Sequence, residues 1–231
     1  MTTVLAIDTS GPVTSLGIGR VGEAGSVFSE EGGRKHAEVI DQLMQRVNAQ
    51  LAGKNPDAIA VGVGPGPYSG LRVGIAFGIG LAKAWQLPVV GVCSLDAIAW
   101  KYAHEVNETD GVATEFVVTT DARRNEIYWA RYAAHGMRVA GPQVRSRGEL
   151  DFDVPVVSER HVDPAIMASK VADYLDQGLT AVDADHQWAP HGADGSGVGV
   201  PTGPLLAPRP LYLRAPDITI SNKAPVGGVS S

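Results

Sequence analysis

Two segments of the sequence carry an aspartate directly after an apolar run. Residues 4–7 lead into Asp8, and residues 116–120 lead into Asp121. Carboxylates at such turns are suited to holding a phosphate together with its metal ion. In the second segment a cation follows, so an ion pair of Asp121 with Arg123 or Arg124 is an equally good interpretation. The sequence therefore leaves residual nucleotide binding and a structural ion pair as two open hypotheses.

A turn rich in glycine and proline, residues 64–70, lies between an apolar strand and a helix. Free backbone N–H groups and the helix dipole favour anions at such a point. The turn is neither a G-x-G-x-x-G nor a Walker A loop, and Pro65 and Pro67 remove two N–H groups that a phosphate would use. We therefore favour a rigid turn that sets the angle of the helix, with Ser69 or Gly70 as its N-cap.

The histidines do not predict a metal site. None of them stands at i, i+4 on a predicted helix, and no G-x-S-x-G motif for a nucleophile is present. His36, at the start of the first predicted helix, is most simply a solvated or cap-region residue, with a polar interface contact as the alternative.

The helix after the turn is apolar on almost every side. Between Leu71 and Trp85 only Arg72 and Lys83 are polar. Interior glycines cost about 0.5–1 kcal/mol each relative to alanine, so a row of small residues is expected where another backbone comes close. Either the helix is buried inside its own domain, or one face meets the sheet and the other a partner protein. The row consists of Gly70, Gly74, Gly78 and Ala82.

The composition is that of an ordinary globular protein. The 231 residues are 44% hydrophobic and 19% charged, with a net charge of −6, which argues against this chain alone being the main holder of an RNA backbone. No secretory signal is recognisable, and the apolar run between Arg72 and Lys83 is about half the roughly 20 residues that span a membrane. The single cysteine, Cys93, excludes an internal disulfide. We expect a cytoplasmic protein.

Periodicity and turn residues predict the strands and helices that position these residues. The predicted strands of the first half are residues 4–7, 13–19, about 26–28, 58–63 and 89–92, and its helices are residues 35–51, 70–86 and 94–104. The predicted strands of the second half are residues 116–120, 126–132, 139–144 and 154–157, followed by a helix at 164–177.

The strand, aspartate, strand pattern occurs twice, which indicates a weak internal repeat. Two such units describe the duplicated actin-like (DnaK-like, ribonuclease H-like) α/β fold, whose two aspartate turns face each other across a cleft. The second unit lacks a counterpart of the glycine-rich helix and is therefore reduced. We predict an N-terminal subdomain at 1–112, a C-terminal subdomain at 113–215 with a Gly/Pro-rich loop at 183–210, and a flexible tail at 216–231.

Residues 64–75 (GPGPYSGLRVGI) resemble the Gly-Pro-Gly-Ser-Phe-Thr-Gly-hydrophobic-Arg-hydrophobic-Gly signature of the TsaB (YeaZ-type) family. Residues 5–10, 121–128 and 210–214 are also similar to that family, in the same order along almost the whole chain. The sequence departs from the family at Pro67 and Tyr68, where serine and phenylalanine are usual.

The resemblance implies a role in making N6-threonylcarbamoyladenosine (t6A) at position 37 of tRNAs that read codons beginning with A. It implies a non-catalytic subunit without a cofactor, except for weak nucleotide binding, because the metal-binding His-x-x-x-His of the paralogous transferase TsaD has no counterpart at residues 94–99. It also implies a heterodimer with a TsaD-like transferase, docking of a TsaE-like ATPase on that pair, tRNA contact only through the complex, and a homodimer when alone.

On this resemblance the first two helices form the partner interface, and Gly74→Leu is expected to separate the partners while leaving a folded monomer. The residues assigned to the interface are His36, Ile40, Leu43, Met44, Val47, Tyr68, Leu71, Arg72, Gly74, Ile75, Gly78 and Ile79. The expected vestigial nucleotide positions are Asp8, Thr9, Ser10, Asp121 and Arg123.

Two other functions are alternatives. A small actin-like ATPase or kinase would act through Asp8 and Asp121, and would bind magnesium–ATP tightly. A glycoprotease, as related proteins were once labelled, would need a metal site or a nucleophile that the sequence does not offer.

Overall fold

The computed structural model describes residues 1–33, 35–109, 114–149, 151–158, 160–181 and 203–213. The strands are β1 (Val4–Asp8), β2 (Val13–Gly19), β3 (Ser26–Glu31), β4 (Ala58–Gly64), β5 (Val89–Cys93), β6 (Phe116–Arg123), β7 (Glu126–Tyr132), β8 (Arg138–Ser146) and β9 (Val156–Val157). The helices are α1 (His36–Leu51), α2 (Tyr68–Trp85), α3 (Ser94–Glu108) and α4 (Pro164–Asp176), with a short 3-10 helix at Arg147–Glu149.

Two sheets with the same strand order form the fold. The first sheet runs β3-β2-β1-β4-β5, and the second runs β8-β7-β6-β9. In each, the central strand is antiparallel to the strand that follows it and parallel to the strand beyond the crossover. The duplicated actin-like, ribonuclease H-like fold is therefore confirmed. The second unit is reduced, because the 3-10 helix stands where α1 stands in the first.

Strands β1 and β4 are buried along their whole length, as expected for near-continuous apolar runs covered on both faces. Helix α4 packs on β2 where the strand has glycines. A Cβ on Gly17 would lie 2.6 Å from the Ala165 nitrogen, and one on Gly19 would lie 2.6 Å from the Ser169 nitrogen. These two glycines allow the helix backbone to approach the sheet closely.

The chain returns to the first sheet after the second sheet is complete. Leu206 pairs with Gly91 of β5 through hydrogen bonds of 2.6 and 2.8 Å, and the Leu211 nitrogen donates to the Val63 carbonyl at 2.7 Å. Helix α4 and residues 203–213, which the sequence assigns to the C-terminal subdomain, thus pack on the N-terminal sheet. The predicted boundary at 112, residues 183–202 of the Gly/Pro-rich loop and the tail at 216–231 lie outside the described residues.

Several element boundaries differ from the prediction. Helix α2 begins at Tyr68 with Pro67 as its N-cap and no side-chain cap, so neither Ser69 nor Gly70 has that role. Asp121 lies within β6, and its turn comes later, at residues 123–125, where all three φ angles are positive. No helix among the described residues has the length and apolar character to cross a membrane.

Candidate functional site

A cleft of about 1270 Å³ opens between the two sheets. The end of β1, the turn before α2 and the start of α3 line it on one side, and β6 and β7 line it on the other. Asp8 and Asp121, which the repeat predicted to face a common cleft, are both among its lining residues, as are Ser10 and Arg123.

Asp8 is buried at the end of β1, with only 3% of its surface exposed. Its Oδ1 accepts hydrogen bonds from the backbone nitrogen of Ser10 at 3.0 Å and from the Ser10 hydroxyl at 2.8 Å. Its Oδ2 accepts from the Ser94 hydroxyl at 2.9 Å. Burial raises the pKa of the Asp8 carboxyl, and these hydrogen bonds oppose that rise. Both oxygens are thus already engaged by the chain itself.

Thr9 connects β1 to α2 and does not line the cleft. Its hydroxyl donates to the Gly70 carbonyl at 2.7 Å and accepts from the Gly74 nitrogen at 3.1 Å. A Cβ at Gly74 would collide with this hydroxyl. Of the predicted vestigial positions, Thr9 therefore has a structural contact to the helix as its role in this fold.

Asp121 is held from two directions. Its Oδ1 accepts from the backbone nitrogen of Arg123 at 3.2 Å and lies 3.7 Å from Nη2 of Arg147. The ion pair thus involves Arg147 of the 3-10 helix, a partner that the sequence did not suggest because it lies beyond two further strands.

The cleft residues do not form a carboxylate-held metal site. Two carboxylates line the cleft, and the chain's own donors engage both. Within the described residues no three histidine, cysteine, aspartate or glutamate side chains come together to hold a metal ion. Four arginines line the same cleft, so its charge favours an anion over a cation: Arg72, Arg123, Arg147 and Arg160.

His36 is the first residue of α1, so it lies in the cap region as predicted, but it is buried and not solvated. Its surface is 7% exposed, and its Nδ1 lies 2.8 Å from the Thr14 hydroxyl. Burial lowers the pKa of the imidazole, and the nearby Asp8 carboxylate partly offsets this effect. The residue therefore packs at the back of the cleft.

Most of the predicted interface residues lie in the core of their own domain. Because a Cβ at Gly78 would collide with Val61 of β4, the glycine row of α2 faces the sheet and not a partner. The predicted interface residues that are buried in the domain are His36, Ile40, Leu43, Met44, Val47, Leu71, Gly74, Ile75 and Gly78. Ile79 and Tyr68 are half-buried and Arg72 is exposed. Gly74→Leu would accordingly disturb the fold itself, contrary to the expectation.

The outward face of α2, which the sequence analysis did not single out, is apolar in its middle, between the exposed Arg72 and Lys83. Ala76, Gly80 and Ala84 are exposed, and Val73 and Phe77 are half-buried. A Cβ at Gly80 would meet no atom within 4 Å. Placing the glycine row inward would have predicted this face, because residues two positions further on point to the opposite side of a helix.

Tyr212 is a second residue that the sequence analysis missed. Its ring stacks on that of Tyr68 with 4.3 Å between centroids, and its hydroxyl accepts from Nε of Arg72 at 2.9 Å. The three side chains form a fixed group at the start of α2. No local signal points to it, because Tyr212 is brought there by the returning C-terminal segment.

Comparison with known proteins identifies relatives of this chain by sequence. A family model for TsaD, tRNA N6-adenosine threonylcarbamoyltransferase, matches residues 21–173. An uncharacterized protein of Mycobacterium tuberculosis is 34% identical over 241 residues, which cover 94% of each chain. TsaB of Escherichia coli, a tRNA threonylcarbamoyladenosine biosynthesis protein, is 33% identical over 134 residues, covering 56% of this chain and 54% of TsaB.

Solved structures share the fold. YeaZ from Pseudomonas aeruginosa superposes with a TM-score of 0.63 at 24% identity, covering 77% of this chain and 94% of YeaZ. A P. aeruginosa protein with similarity to peptidase YeaZ superposes with a TM-score of 0.67 at 22% identity, covering 93% of this chain and all of that one.

A second TsaB relative, from Haemophilus influenzae, is 33% identical over 138 residues, which cover 56% of that protein. The chain belongs to the TsaB (YeaZ-type) family of tRNA threonylcarbamoyladenosine biosynthesis proteins, within the wider TsaD family.

Proposed function

We propose that this chain is a non-catalytic subunit that supports a TsaD-like transferase in forming t6A at position 37 of tRNAs that read ANN codons. The observation that carries the proposal is the run of small and apolar residues in the middle of the outward face of α2, between the exposed Arg72 and Lys83. A helix on a protein surface usually carries polar residues there. The engaged carboxylates of the cleft support a subunit without catalysis of its own. The complex would act in the cytoplasm.

The two outward helix faces together have the anatomy of a protein interface. On α2 the middle of the exposed surface is apolar, with Arg72 and Lys83 towards its ends, whereas on α1 the exposed surface is polar, with Glu38, Asp41 and Gln45 exposed. An apolar centre beside a polar rim is typical of specific interfaces. We assign this surface to binding of the TsaD-like transferase, or of a second copy of this chain when the transferase is absent. A TsaE-like ATPase would dock on the pair that this chain forms with the transferase.

Charge placed on the outward face of α2 tests the interface. Ala76→Arg should abolish co-purification with the transferase of the same cell and reduce t6A formation, because a buried unpaired arginine is costly. The free energy of unfolding should stay unchanged, because Ala76 is exposed. Ala24→Arg, at an exposed turn between β2 and β3, is the matched control. An intact Ala76→Arg complex in light scattering would show that the partner binds elsewhere.

Calorimetry with ATP and magnesium separates the subunit from the actin-like ATPase. We expect no tight binding to the isolated chain, and we expect Asp8→Asn to retain t6A formation in the reconstituted complex. Tight binding that disappears in Asp8→Ala would support the ATPase instead.

A further inference from the structure

The rim of the cleft concentrates arginines in a chain whose net charge is −6. Arg123 and Arg147 line the cleft from the second sheet, and Arg72 lines it from α2. Arg124 follows Arg123 in the turn, and Arg145 lies opposite Ile127 of β7, a cleft residue. All five arginines are exposed. We call them the arginine rim.

The described carboxylates of the cleft are fewer than its arginines. Among the described residues, Arg72, Arg123, Arg147 and Arg160 line the cleft, and Asp8 and Asp121 are the carboxylates that line it. Four arginines against two carboxylates leave the cleft wall positive while the whole chain is negative. Such a local excess is the electrostatic footprint of a polyanion site.

A tyrosine platform stands beside the arginine rim. Tyr68 lines the cleft, and one face of its ring stacks on the ring of Tyr212. The hydroxyl of Tyr212 accepts a hydrogen bond from Arg72, which fixes the position of that ring. Tyr128 lines the same cleft from β7. Aromatic faces next to arginines bind unpaired bases, whereas a duplex offers no free base face.

We propose that the arginine rim and Tyr68 bind a single-stranded stretch of RNA, with phosphates on the arginines and a base on the tyrosine ring. The inference rests on the proposed function and deepens it. The tRNA loop would touch this chain directly, in contrast to the expectation of contact only through the complex. A metal-bound nucleotide fits the rim less well, because the carboxylates that would hold the metal are engaged by the chain.

Fluorescence anisotropy tests the proposal with a labelled anticodon stem-loop RNA, using the full chain alone and in complex with its transferase. Arg123→Glu and Arg145→Glu should each weaken binding by about tenfold or more and lower the salt slope by about one. Tyr68→Ala should weaken binding about fivefold to a hundredfold, whereas Tyr68→Phe should retain it. For a fully paired RNA hairpin stem, Tyr68→Ala and the parent chain should have equal binding affinity.

Lys54→Glu is the matched control, because it makes the same change of charge at an exposed residue. Lys54 follows the C-terminal end of α1, whereas His36, a cleft residue, lies at the other end of that helix. Equal RNA affinity of Lys54→Glu, Arg123→Glu and the parent chain would overturn the proposal. Loss of the transferase complex in Arg123→Glu, with RNA affinity of the isolated chain unchanged, would also overturn it and identify a protein-docking surface. If t6A formation proves independent of this chain while the variants still lose RNA, the proposed function fails and this inference stands.

Discussion

Asp96 is a charged side chain that the fold buries between its two halves. It lies in the first turn of α3, where its Oδ1 accepts from the Tyr132 hydroxyl at 2.8 Å and from Nε of Arg138 at 2.9 Å. The side chains of Asp96 and Arg138 are only 5% and 9% exposed. Because Tyr132 and Arg138 belong to β7 and β8, this cluster attaches the second sheet to a helix that also packs on the first.

Removing one partner of this ion pair should be costly. We expect Asp96→Ala to lower the free energy of unfolding by about 3–5 kcal/mol, because the buried Arg138 guanidinium would lose its ion pair with the Asp96 carboxylate. Urea unfolding followed by tryptophan fluorescence measures the loss. Asp153→Ala, which breaks an exposed contact to Arg131, is the control and should cost far less. Similar losses in the two variants would show that the buried charge has no special weight.

His36 should make stability depend on pH near neutrality. Burial lowers the pKa of His36 below its ordinary value of 6.5, so the folded chain binds the proton less readily than the unfolded chain. This contribution to stability is present above pH 6.5 and is lost as the pH falls. We expect the free energy of unfolding to decline between about pH 7 and 5, and His36→Gln to flatten that decline. An unchanged slope in the variant would assign the effect to other groups.

Helix α2 shows what the sequence could and could not predict at the scale of an element. Its apolar character correctly indicated a face packed on the sheet, and the turn after β4 correctly placed its start within a few residues. Periodicity, however, defines the faces of a helix without naming the neighbour of each face. The glycine row was therefore assigned to a partner, whereas Thr9 and Val61 of the same domain occupy it. The face that we propose for a partner carries Ala76 and Gly80 instead.

Two alanine substitutions distinguish the two faces of α2. Gly74→Ala should destabilise the chain by about 1–3 kcal/mol, because the new methyl group collides with the Thr9 hydroxyl that links β1 to the helix. Gly80→Ala should instead stabilise it by up to about 1 kcal/mol, because the site is open and alanine is the better helix former. Thermal unfolding of both variants gives the sign directly. Destabilisation by Gly80→Ala would mean that the outward face is covered in the free chain.

At the scale of the whole molecule, some residues in and beside the cleft could be predicted from the sequence around them, and others could not. Asp8 and Asp121 were predictable, because each follows an apolar strand in a repeated unit. Arg147 reaches the cleft, and Tyr212 reaches the start of α2 beside it, only through tertiary packing of segments distant in sequence, so no spacing could place them. The same holds for α4 and residues 203–213, which pack on a sheet formed by the other half of the chain.

The returning segment should contribute strongly to the stability of the first sheet. Leu211 is 6% exposed, and its nitrogen donates to the carbonyl of Val63 in β4. We expect Leu211→Ala to cost about 2–5 kcal/mol in the free energy of unfolding. Leu179→Ala, at a residue 36% exposed, is the control with the same change of side chain. Equal unfolding midpoints for the two variants in urea would contradict the prediction.

The bridge between Leu206 and Gly91 also has a consequence during synthesis. Strand β5 ends the first sheet, and its outer edge acquires this partner only after residue 206 has left the ribosome. Until then the nascent polypeptide carries an open strand edge, which invites pairing with other chains. A product that terminates before residue 206 would therefore be a ready substrate for chaperones or for aggregation.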